Sequence, residues 1–191
     1  MRLPAGSLST RWTATAIAAV VAVTLHQQAR ADDVFVLTSP DFKDGGDIPT
    51  AFTCDGADRS PKLQWNGAPQ ETRAFALTVD DPDAPGGTFT HWVIYNIPGA
   101  ARALDEGVKP AADLGDGTKQ GANGFGKIGY GGPCPPPGPP HRYVFAFHAL
   151  GKPIEPSDQT STKAVREAIE KESLAEARLV GRYARPEGKA Q

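Results

Sequence analysis

The sequence has little of what marks several specialised classes of protein. It contains two cysteines, one methionine and no block of basic residues, and its formal net charge at pH 7 is −2. Nucleic-acid binding therefore has little support, because proteins that bind nucleic acids carry basic patches. There is no internal repeat, no low-complexity tail and no linker to a second domain. The 191 residues predict one domain with a hydrophobic core.

Short motifs that preorganise common active sites are missing as well. No Gly-x-Ser-x-Gly elbow occurs, and no two histidines stand at the His-x-His or His-x-x-x-His spacing. A serine hydrolase or a metal enzyme would have to assemble its site from residues that are distant in sequence. Only three histidines follow the N-terminal segment, namely His91, His141 and His148.

The first 31 residues resemble a secretion signal. Arg2 and Arg11 are positive, no acidic residue precedes Asp32, and residues 14–25 form an apolar run too short to span a bilayer. The small-x-small sequence that ends at Ala31 predicts cleavage there, which leaves a mature domain of residues 32–191. A membrane anchor or a disordered tail is the alternative. No cysteine stands directly after the apolar run, so we expect no lipid anchor, and we expect a periplasmic or secreted protein.

The two cysteines, Cys54 and Cys134, both lie in the predicted mature part. In an oxidising compartment such a pair can form one disulfide. The bridge would close a long loop and stabilise the fold by about 4.5 kcal/mol in the chain-entropy account. Two free thiols are equally compatible with the sequence, because sequence gives no distance between the two sulfurs.

The remaining pattern predicts a mainly β fold. With 21 glycines and 18 prolines, the chain favours turns and short strands over long helices. Thr160 or Ser161 is predicted to cap a helix over residues 162–171, whose apolar positions follow a helical spacing. We expect an antiparallel β-sandwich of two sheets with one or two short helices near the C-terminus. The predicted strands cover residues 34–37, 48–52, 60–65, 75–79, 92–97, 143–148 and 177–183.

Two connections stand out between these strands. Residues 98–127 lose their periodicity and are predicted to form a long surface connection. Residues 129–140 are mainly glycine and proline, which cannot form a helix and lack most donors that a central strand needs. This second connection ends directly at His141.

A rigid acidic turn joins the two most apolar strands. Asp80, Asp81 and Asp83 follow the first of them, prolines stiffen the turn, and His91 opens the next strand. A histidine beside a carboxylate at a strand end can hold a proton near neutral pH. Asp80 and Asp83 could equally bond the backbone of their own turn. His148 lies within an alternating strand and is interpreted as structural.

Three kinds of site are compatible with these residues. Asp81 or Asp83 with His91 and His141 could bind a metal ion, since two histidines and a carboxylate are a legitimate ligand set. The same histidines with the backbone amides of residues 131–134 could hold a small anion, because glycine-rich loops present N–H groups to phosphate or sulfate.

The third kind of site is a nucleophilic one. Ser60 or Cys134 could pair with His141 in a hydrolase. Nothing in the sequence favours either pairing, so both stay open.

Two segments resemble the signatures of the phosphatidylethanolamine-binding protein family. Asp-Pro-Asp-Ala-Pro at residues 81–85, followed by His91, is similar to the first signature. Gly-Pro-Cys-Pro-Pro-Pro-Gly at residues 132–138, leading to His141-Arg142-Tyr143, is similar to the second. The resemblance covers nearly all of residues 32–191. The segments that resemble the bacterial branch, the Raf kinase inhibitor-like proteins, are residues 54–56, 60–65, 123–127 and 129–132.

The resemblance implies a β-sandwich with a small pocket at one edge that takes phosphate-like anions and the phosphoethanolamine head group. Carried over by motif, Asp81 and His91 are the carboxylate and histidine of the first signature. Pro136, His141 and Tyr143 are the proline, histidine and tyrosine of the second. No cofactor is implied. Kinase inhibition, recorded in the name of the animal members, is not transferred to an exported protein of bacterial type.

Two departures from the animal members bear on the pocket. Residues 86–90 are short where animal members have a longer insertion with a further tyrosine, so we expect a more open rim. Cys134 stands where animal members have glycine, and this could narrow the anion cradle or tie it to Cys54.

The sequence therefore predicts an exported protein that binds a small anion or a phospholipid head group and has no catalytic activity. One alternative is a hydrolase or metal-dependent enzyme that uses the same Asp/His pocket. The other is an inhibitor or interaction module for another exported protein. We expect no nucleic-acid partner and no membrane span after cleavage, and a homodimer and a protein partner stay open.

Overall fold

The computed structural model describes residues 34–158 and 161–186. The predicted signal peptide, and Thr160 as one of the two proposed helix caps, lie outside these residues. The elements are β1 (Val36–Thr38), a 3₁₀ turn (Thr50–Phe52), β2 (Leu63–Asn66), β3 (Ala74–Asp81), β4 (Phe89–Pro98), β5 (Ala103–Leu104), β6 (Lys119–Gln120), β7 (His141–Leu150), α1 (Thr162–Glu172) and β8 (Ser173–Tyr183).

A five-stranded antiparallel sheet forms the centre of the fold. Its strand order is β6-β4-β3-β7-β8, so β3 pairs with β4 on one side and with β7 on the other. Val79 of β3 lies opposite Trp92 of β4 and Phe145 of β7. The central placement predicted for the two apolar runs is confirmed for β3 and β4. It brings the acidic turn after β3 next to the start of β7.

The smaller sheet, in the order β1-β2-β5, packs on one face of the larger one. Leu37, Leu63 and Trp65 point from it into the core and are at most 4% exposed. The Trp65 and Phe147 rings meet across the interface with centroids 4.5 Å apart. We call the face of the large sheet that meets this core the inner face. The predicted two-sheet antiparallel fold is confirmed.

Helix α1 covers part of the opposite, outer face. Val165 and Ile169 lie one helical turn apart and pack against Val93 and Tyr95 of β4. The Ser161 hydroxyl accepts a hydrogen bond from the Ala164 amide at 3.3 Å, as predicted for an N-cap. Within the described residues no helix is long and apolar enough to cross a membrane.

The strand predicted at residues 48–52 is wrong. The Phe52 amide donates to the Pro49 carbonyl at 2.9 Å, and the Thr53 amide donates to the Thr50 carbonyl at 3.0 Å. These bonds span three residues, so the segment is a 3₁₀ turn. The fixed φ of Pro49 and a third bond, from the Thr53 hydroxyl to the Thr50 carbonyl, favour the turn over an extended chain.

The connection from 98 to 127 contains two short strands that the sequence did not predict. β5 pairs with β2, and β6 pairs with β4 at Ile94 and Tyr95. Gln120 of β6 is buried, and its side-chain oxygen accepts a hydrogen bond from the Trp92 indole at 2.8 Å. The connection is thereby fixed to both sheets.

Candidate functional site

The alternation of β3 sends two neighbouring acids to opposite faces of the large sheet. Side chains of consecutive strand residues point to opposite sides. Asp81 therefore shares the inner face with Val79, and Asp80 lies on the outer face, where it contacts helix α1. The side chain of Asp81 is 4% exposed and that of Asp80 is 17% exposed.

Asp81 holds His141 by a short hydrogen bond. Its Oδ2 lies 2.7 Å from Nδ1 of His141, and its Oδ1 accepts the Asp83 amide at 2.8 Å. Because a carboxylate only accepts hydrogen bonds, Nδ1 of His141 must carry the proton in this contact. Nε2 of His141 makes no hydrogen bond within the described residues. In the neutral ring Nε2 is an acceptor, and it becomes a donor only when the ring is protonated.

His91 is fixed in the same manner from another strand. It is 3% exposed, and its Nδ1 lies 2.7 Å from the Gly131 carbonyl oxygen, so Nδ1 again carries the proton. Burial lowers the pKa of His91 below its ordinary value, while the Gly131 carbonyl and the Asp81 charge act in the opposite direction. The neutral ring is thus favoured in the absence of a ligand.

Tyr143 completes the group. Its ring meets that of His91 edge to face, with centroids 5.1 Å apart. Its hydroxyl is buried close to Asp81, but no hydrogen bond of good geometry joins it to any described residue. Burial, followed by the negative charge of Asp81, raises the pKa of Tyr143 far above its ordinary value, so the hydroxyl keeps its proton. A buried donor without a partner is costly, and a bound acceptor would satisfy it.

Asp83 takes no part in this group. Nε and Nη2 of Arg142 donate to its two oxygens at 2.9 and 2.7 Å, and the Arg142 amide donates at 2.9 Å. These bonds lower the pKa of Asp83 to about 2. Asp83 is therefore bound by Arg142 of β7. Its carboxylate neither accepts a hydrogen bond from its own turn, as one prediction had it, nor is available to a ligand.

The glycine- and proline-rich connection is anchored beside the site. A disulfide joins Cys54 and Cys134, and the Cys54 amide donates to the Pro133 carbonyl at 3.1 Å. The Gly132 amide donates to Asp58 at 2.6 Å. This amide is consequently already occupied, and the Gly131 amide likewise donates to the His91 carbonyl at 2.9 Å. Since Pro133 has no N–H, most of the backbone donors that the sequence offered to an anion at residues 131–134 are not available. Pro136 lies half-buried in the same connection.

Arg185 is an element of this anchor that sequence reasoning missed. It is 7% exposed, and its Nη2 lies 3.0 and 3.2 Å from the sulfurs of Cys54 and Cys134. Its Nε pairs with Asp55 at 3.3 Å. No local pattern marks this residue, because its partners are more than fifty residues away in sequence.

The outer face carries a separate polar cluster. Asp80 accepts hydrogen bonds from Arg166 of α1 and from Thr90, and Arg166 also donates to the Thr90 hydroxyl at 3.0 Å. His148 is buried there and lies 3.1 Å from the Ser173 hydroxyl. Burial lowers the pKa of His148. The structural interpretation of His148 agrees with this packing.

Neither enzyme-like arrangement considered from sequence is assembled in the described residues. No three His, Cys, Asp or Glu side chains within residues 34–158 and 161–186 are grouped closely enough to bind a metal ion. Cys134 is held in the disulfide, and Ser60 is buried with its hydroxyl accepting the Val108 amide at 2.9 Å. The structure does bring Asp81, His91, His141 and Tyr143 together in one polar group.

The sequence profile of the phosphatidylethanolamine-binding protein family matches residues 38–184. This span includes both signatures and every member of the polar group. The chain belongs to the phosphatidylethanolamine-binding protein family. The bacterial-branch resemblance of the sequence is confirmed by its relatives.

Relatives occur in both archaea and bacteria. The chain is 48% identical over 144 residues to a UPF0098 protein of Methanothermobacter thermautotrophicus, covering 75% of this chain and 95% of the relative. It is 37% identical over 157 residues to a Mycobacterium tuberculosis protein named "Putative lipoprotein LppC", covering 81% of this chain and 75% of the relative.

A solved structure shows the same fold. The crystal structure of Escherichia coli YbcL, described as a new member of the mammalian family, superposes with a TM-score of 0.74 at 36% identity. The match covers 80% of this chain and 99% of YbcL. The family and its two-sheet fold are therefore shown by sequence and by structure.

Proposed function

We propose that the protein is an exported binding protein for small phosphate-like anions, including the phosphoethanolamine head group, and that it has no catalytic activity. The observation that carries this proposal is the geometry of His141. Asp81 fixes its Nδ1 and leaves Nε2 without a hydrogen-bond partner among the described residues. The Tyr143 hydroxyl, which is also close to Asp81, has no partner among them either. Two polar atoms near one buried carboxylate thus lack the partners that a bound oxyanion would supply.

The anion would bind together with a proton. The Tyr143 hydroxyl donates at any physiological pH, whereas Nε2 of His141 donates only after protonation. Protonation converts the Asp81–His141 contact into an ion pair and aims a charged donor at the ligand. Binding is therefore expected to strengthen as the pH falls through the histidine range. The buried carboxylate of Asp81 would also attract the ammonium group of a phosphoethanolamine ligand.

The absence of catalysis is proposed from the roles that the candidate nucleophiles already have. The sulfur of Cys134 is bonded to Cys54, so it is not available as a thiolate. The hydroxyl of Ser60 is engaged by a backbone amide. A nucleophile needs a base within hydrogen-bond reach, and neither candidate shows a hydrogen bond to His141.

Export is proposed from three observations. The N-terminal 31 residues have the charge and hydropathy of a cleaved signal peptide. The Cys54–Cys134 disulfide suits an oxidising compartment. A mycobacterial relative carries a lipoprotein name, which refers to an exported class of protein. N-terminal sequencing of the protein from a cell-envelope fraction should read from Asp32, and an intact Met1 would contradict export by cleavage.

Calorimetric titration with O-phosphoethanolamine tests the binding site. At about pH 6 the wild type should bind, and His141→Ala should weaken binding by about tenfold or more, since a charge-assisted hydrogen bond contributes roughly 1.5–3 kcal/mol. His148→Ala, which removes a buried histidine from the outer face, should leave the affinity within about twofold. Equal heats for wild type and His141→Ala, or no heat for either, would contradict the proposal.

A further inference from the structure

We propose that the anion pocket has an aromatic side wall, formed by Phe89 and Phe125, and that its preferred ligands are anions carrying an aromatic ring, such as aryl phosphates. This inference rests on the proposed anion binding and adds the class of group attached to the anion. Neither phenylalanine was assigned a role from the sequence, although Phe125 stands between two glycines in an otherwise polar loop.

The two rings are continuous with the polar group. Phe89 meets the His91 ring with centroids 5.1 Å apart, and Phe125 meets it at 5.6 Å. Phe89 and Phe125 lie 4.7 Å from each other, and all three pairs are edge to face. A ligand whose anion reached His91 would therefore have its substituent next to these rings.

Glycines let the two rings approach the backbone closely. A Cβ atom added at Gly131 would come within 2.7 Å of the Phe125 ring, and one added at Gly124 would come within 2.5 Å of the Phe89 ring. Gly131 is also the residue whose carbonyl fixes His91. The same glycine thus positions the polar and the aromatic parts of the site.

Phe125 is held in place although it is exposed. The side-chain oxygen of Asn123 accepts the amides of Phe125 and Lys127 at 3.0 and 3.1 Å, and its nitrogen donates to the Gly129 carbonyl at 2.9 Å. Asn123 itself is 6% exposed. A buried asparagine with these three bonds fixes the hairpin tip, so the ring does not have to be ordered when a ligand binds.

Exposed apolar surface is concentrated at this place. Among the described residues, four large apolar side chains are exposed, and Phe125 and Ile128 belong to the same short hairpin. Phe125 is 44% exposed. An exposed ring in contact with the buried His91 offers a surface that an apolar substituent can cover. Since the rings already pair edge to face, a flat ring can extend that packing, which gains more than its buried area alone.

Phenyl phosphate and methyl phosphate make a matched pair of probes, because both are phosphate monoesters and differ only in the substituent. Their dissociation constants should be measured by calorimetry with the wild type, with Phe125→Ala and with Leu174→Ala. Leu174 is the matched control, since it is 48% exposed and lies on β8.

The wild type should bind phenyl phosphate about tenfold more tightly than methyl phosphate, from ring stacking and the area covered. Phe125→Ala should reduce this ratio to about threefold or less while still binding methyl phosphate, which also shows that the variant is folded. Leu174→Ala should keep the wild-type ratio.

The proposal of an aromatic wall would be wrong if the wild type bound the two esters equally, or if Phe125→Ala kept the wild-type ratio of their dissociation constants. Either result would still be compatible with the anion site. No binding of either ester to the wild type would contradict the anion site itself, and the wall with it.

Discussion

Asp80 and Asp81 are neighbours in one strand, yet they belong to two different kinds of polar cluster. On the outer face Asp80 pairs with Arg166, and the Thr90 hydroxyl closes the network. On the inner face Asp81 pairs with His141, and the network stays open at Nε2 of the histidine and at the Tyr143 hydroxyl. Among the described residues, Asp80, Arg166 and the Thr90 hydroxyl bond one another in the outer cluster, whereas the inner cluster has no acceptor for the Tyr143 hydroxyl.

The difference lies in the cation. An arginine is always charged, so the Asp80 pair is permanent and can serve to hold helix α1 on the sheet. A histidine can be neutral or charged, so the Asp81–His141 contact is a hydrogen bond from a neutral ring or, when His141 is protonated, an ion pair. The permanent pair suits a structural role and the titratable pair suits ligand binding.

The disulfide should be the largest single contribution to the stability of the inner-face region. It joins residues 80 positions apart, for which the chain-entropy account gives about 4.5 kcal/mol. Cys54→Ser with Cys134→Ser should lower the free energy of unfolding by up to this amount in urea denaturation. Wild type treated with a reductant should lose as much, and the double variant should not respond to the reductant. A loss below about 1 kcal/mol would show that the connection is anchored mainly by its hydrogen bonds.

Replacing the two neighbouring acids by asparagine should affect different properties, stability for Asp80 and ligand affinity for Asp81. Asp80→Asn should cost about 1–2 kcal/mol of stability, because it removes a partly buried ion pair, and should leave sulfate affinity within about twofold. Asp81→Asn should weaken sulfate binding about tenfold near pH 6. Denaturation and calorimetry on both variants make the comparison.

Two distances explain why Asp81→Asn should weaken sulfate binding and not strengthen it. The carboxylate repels a bound anion, but it lies 2.7 Å from Nδ1 of His141, whereas an anion on Nε2 lies beyond the ring. Coulomb energy falls with separation, so stabilisation of the protonated ring outweighs the repulsion. Tighter sulfate binding by Asp81→Asn at this pH, or equal losses in both variants, would contradict the division between the two faces.

Tyr143→Phe should weaken sulfate binding without lowering the stability of the fold. Since the Tyr143 hydroxyl is buried without a partner, its removal should leave the free energy of unfolding unchanged or raise it by up to about 1 kcal/mol. Sulfate affinity should fall. Tyr130→Phe is the control, because that hydroxyl donates to the Phe52 carbonyl at 2.7 Å and its loss should destabilise the fold. A destabilised Tyr143→Phe with normal affinity would mean that the hydroxyl has a structural role.

Among the interactions tested, the Asp83–Arg142 pair should contribute least to the free energy of unfolding. The pKa of Asp83 is lowered to about 2, so its stabilisation is fully present above the ordinary value near 3.8 and is lost as the pH falls through 2. Because the Arg142 side chain is exposed, solvent screens the pair and its contribution should be small. Denaturation of wild type and Asp83→Asn should differ slightly at about pH 5 and converge near pH 2. A difference that persists at the lower pH would exclude this ion pair as its cause.

Sequence reasoning succeeded where the signal is local. The alternating residues before Asp80 and the apolar run after His91 predicted the two central strands, and Ser161 was identified as one of two helix caps. The strand that follows α1 begins at Ser173 and not at residue 177, because Lys171 and Glu172 end the helix without any glycine or proline to mark the change.

Residues whose roles depend on distant partners were missed. In the sequence, Arg185 is one more charged residue near the C-terminus. Only the fold places its guanidinium against the Cys54–Cys134 sulfurs. In the sequence, Phe125 is a loop residue, and only the folded hairpin places its ring next to His91. The four polar residues of the proposed site were named from the family signatures, whereas the bonding of each Nδ1, and hence the open Nε2 of His141, required coordinates.

Proton uptake during sulfate binding tests the central claim most directly, because sulfate does not itself take up a proton in the histidine range. Calorimetric titrations near pH 7, repeated in buffers with different heats of ionisation, give the number of protons bound with each sulfate. An anion that requires the donor form of His141 should take up a substantial fraction of one proton, and His141→Gln should abolish the uptake. Sulfate binding with no proton uptake in the wild type would contradict the account.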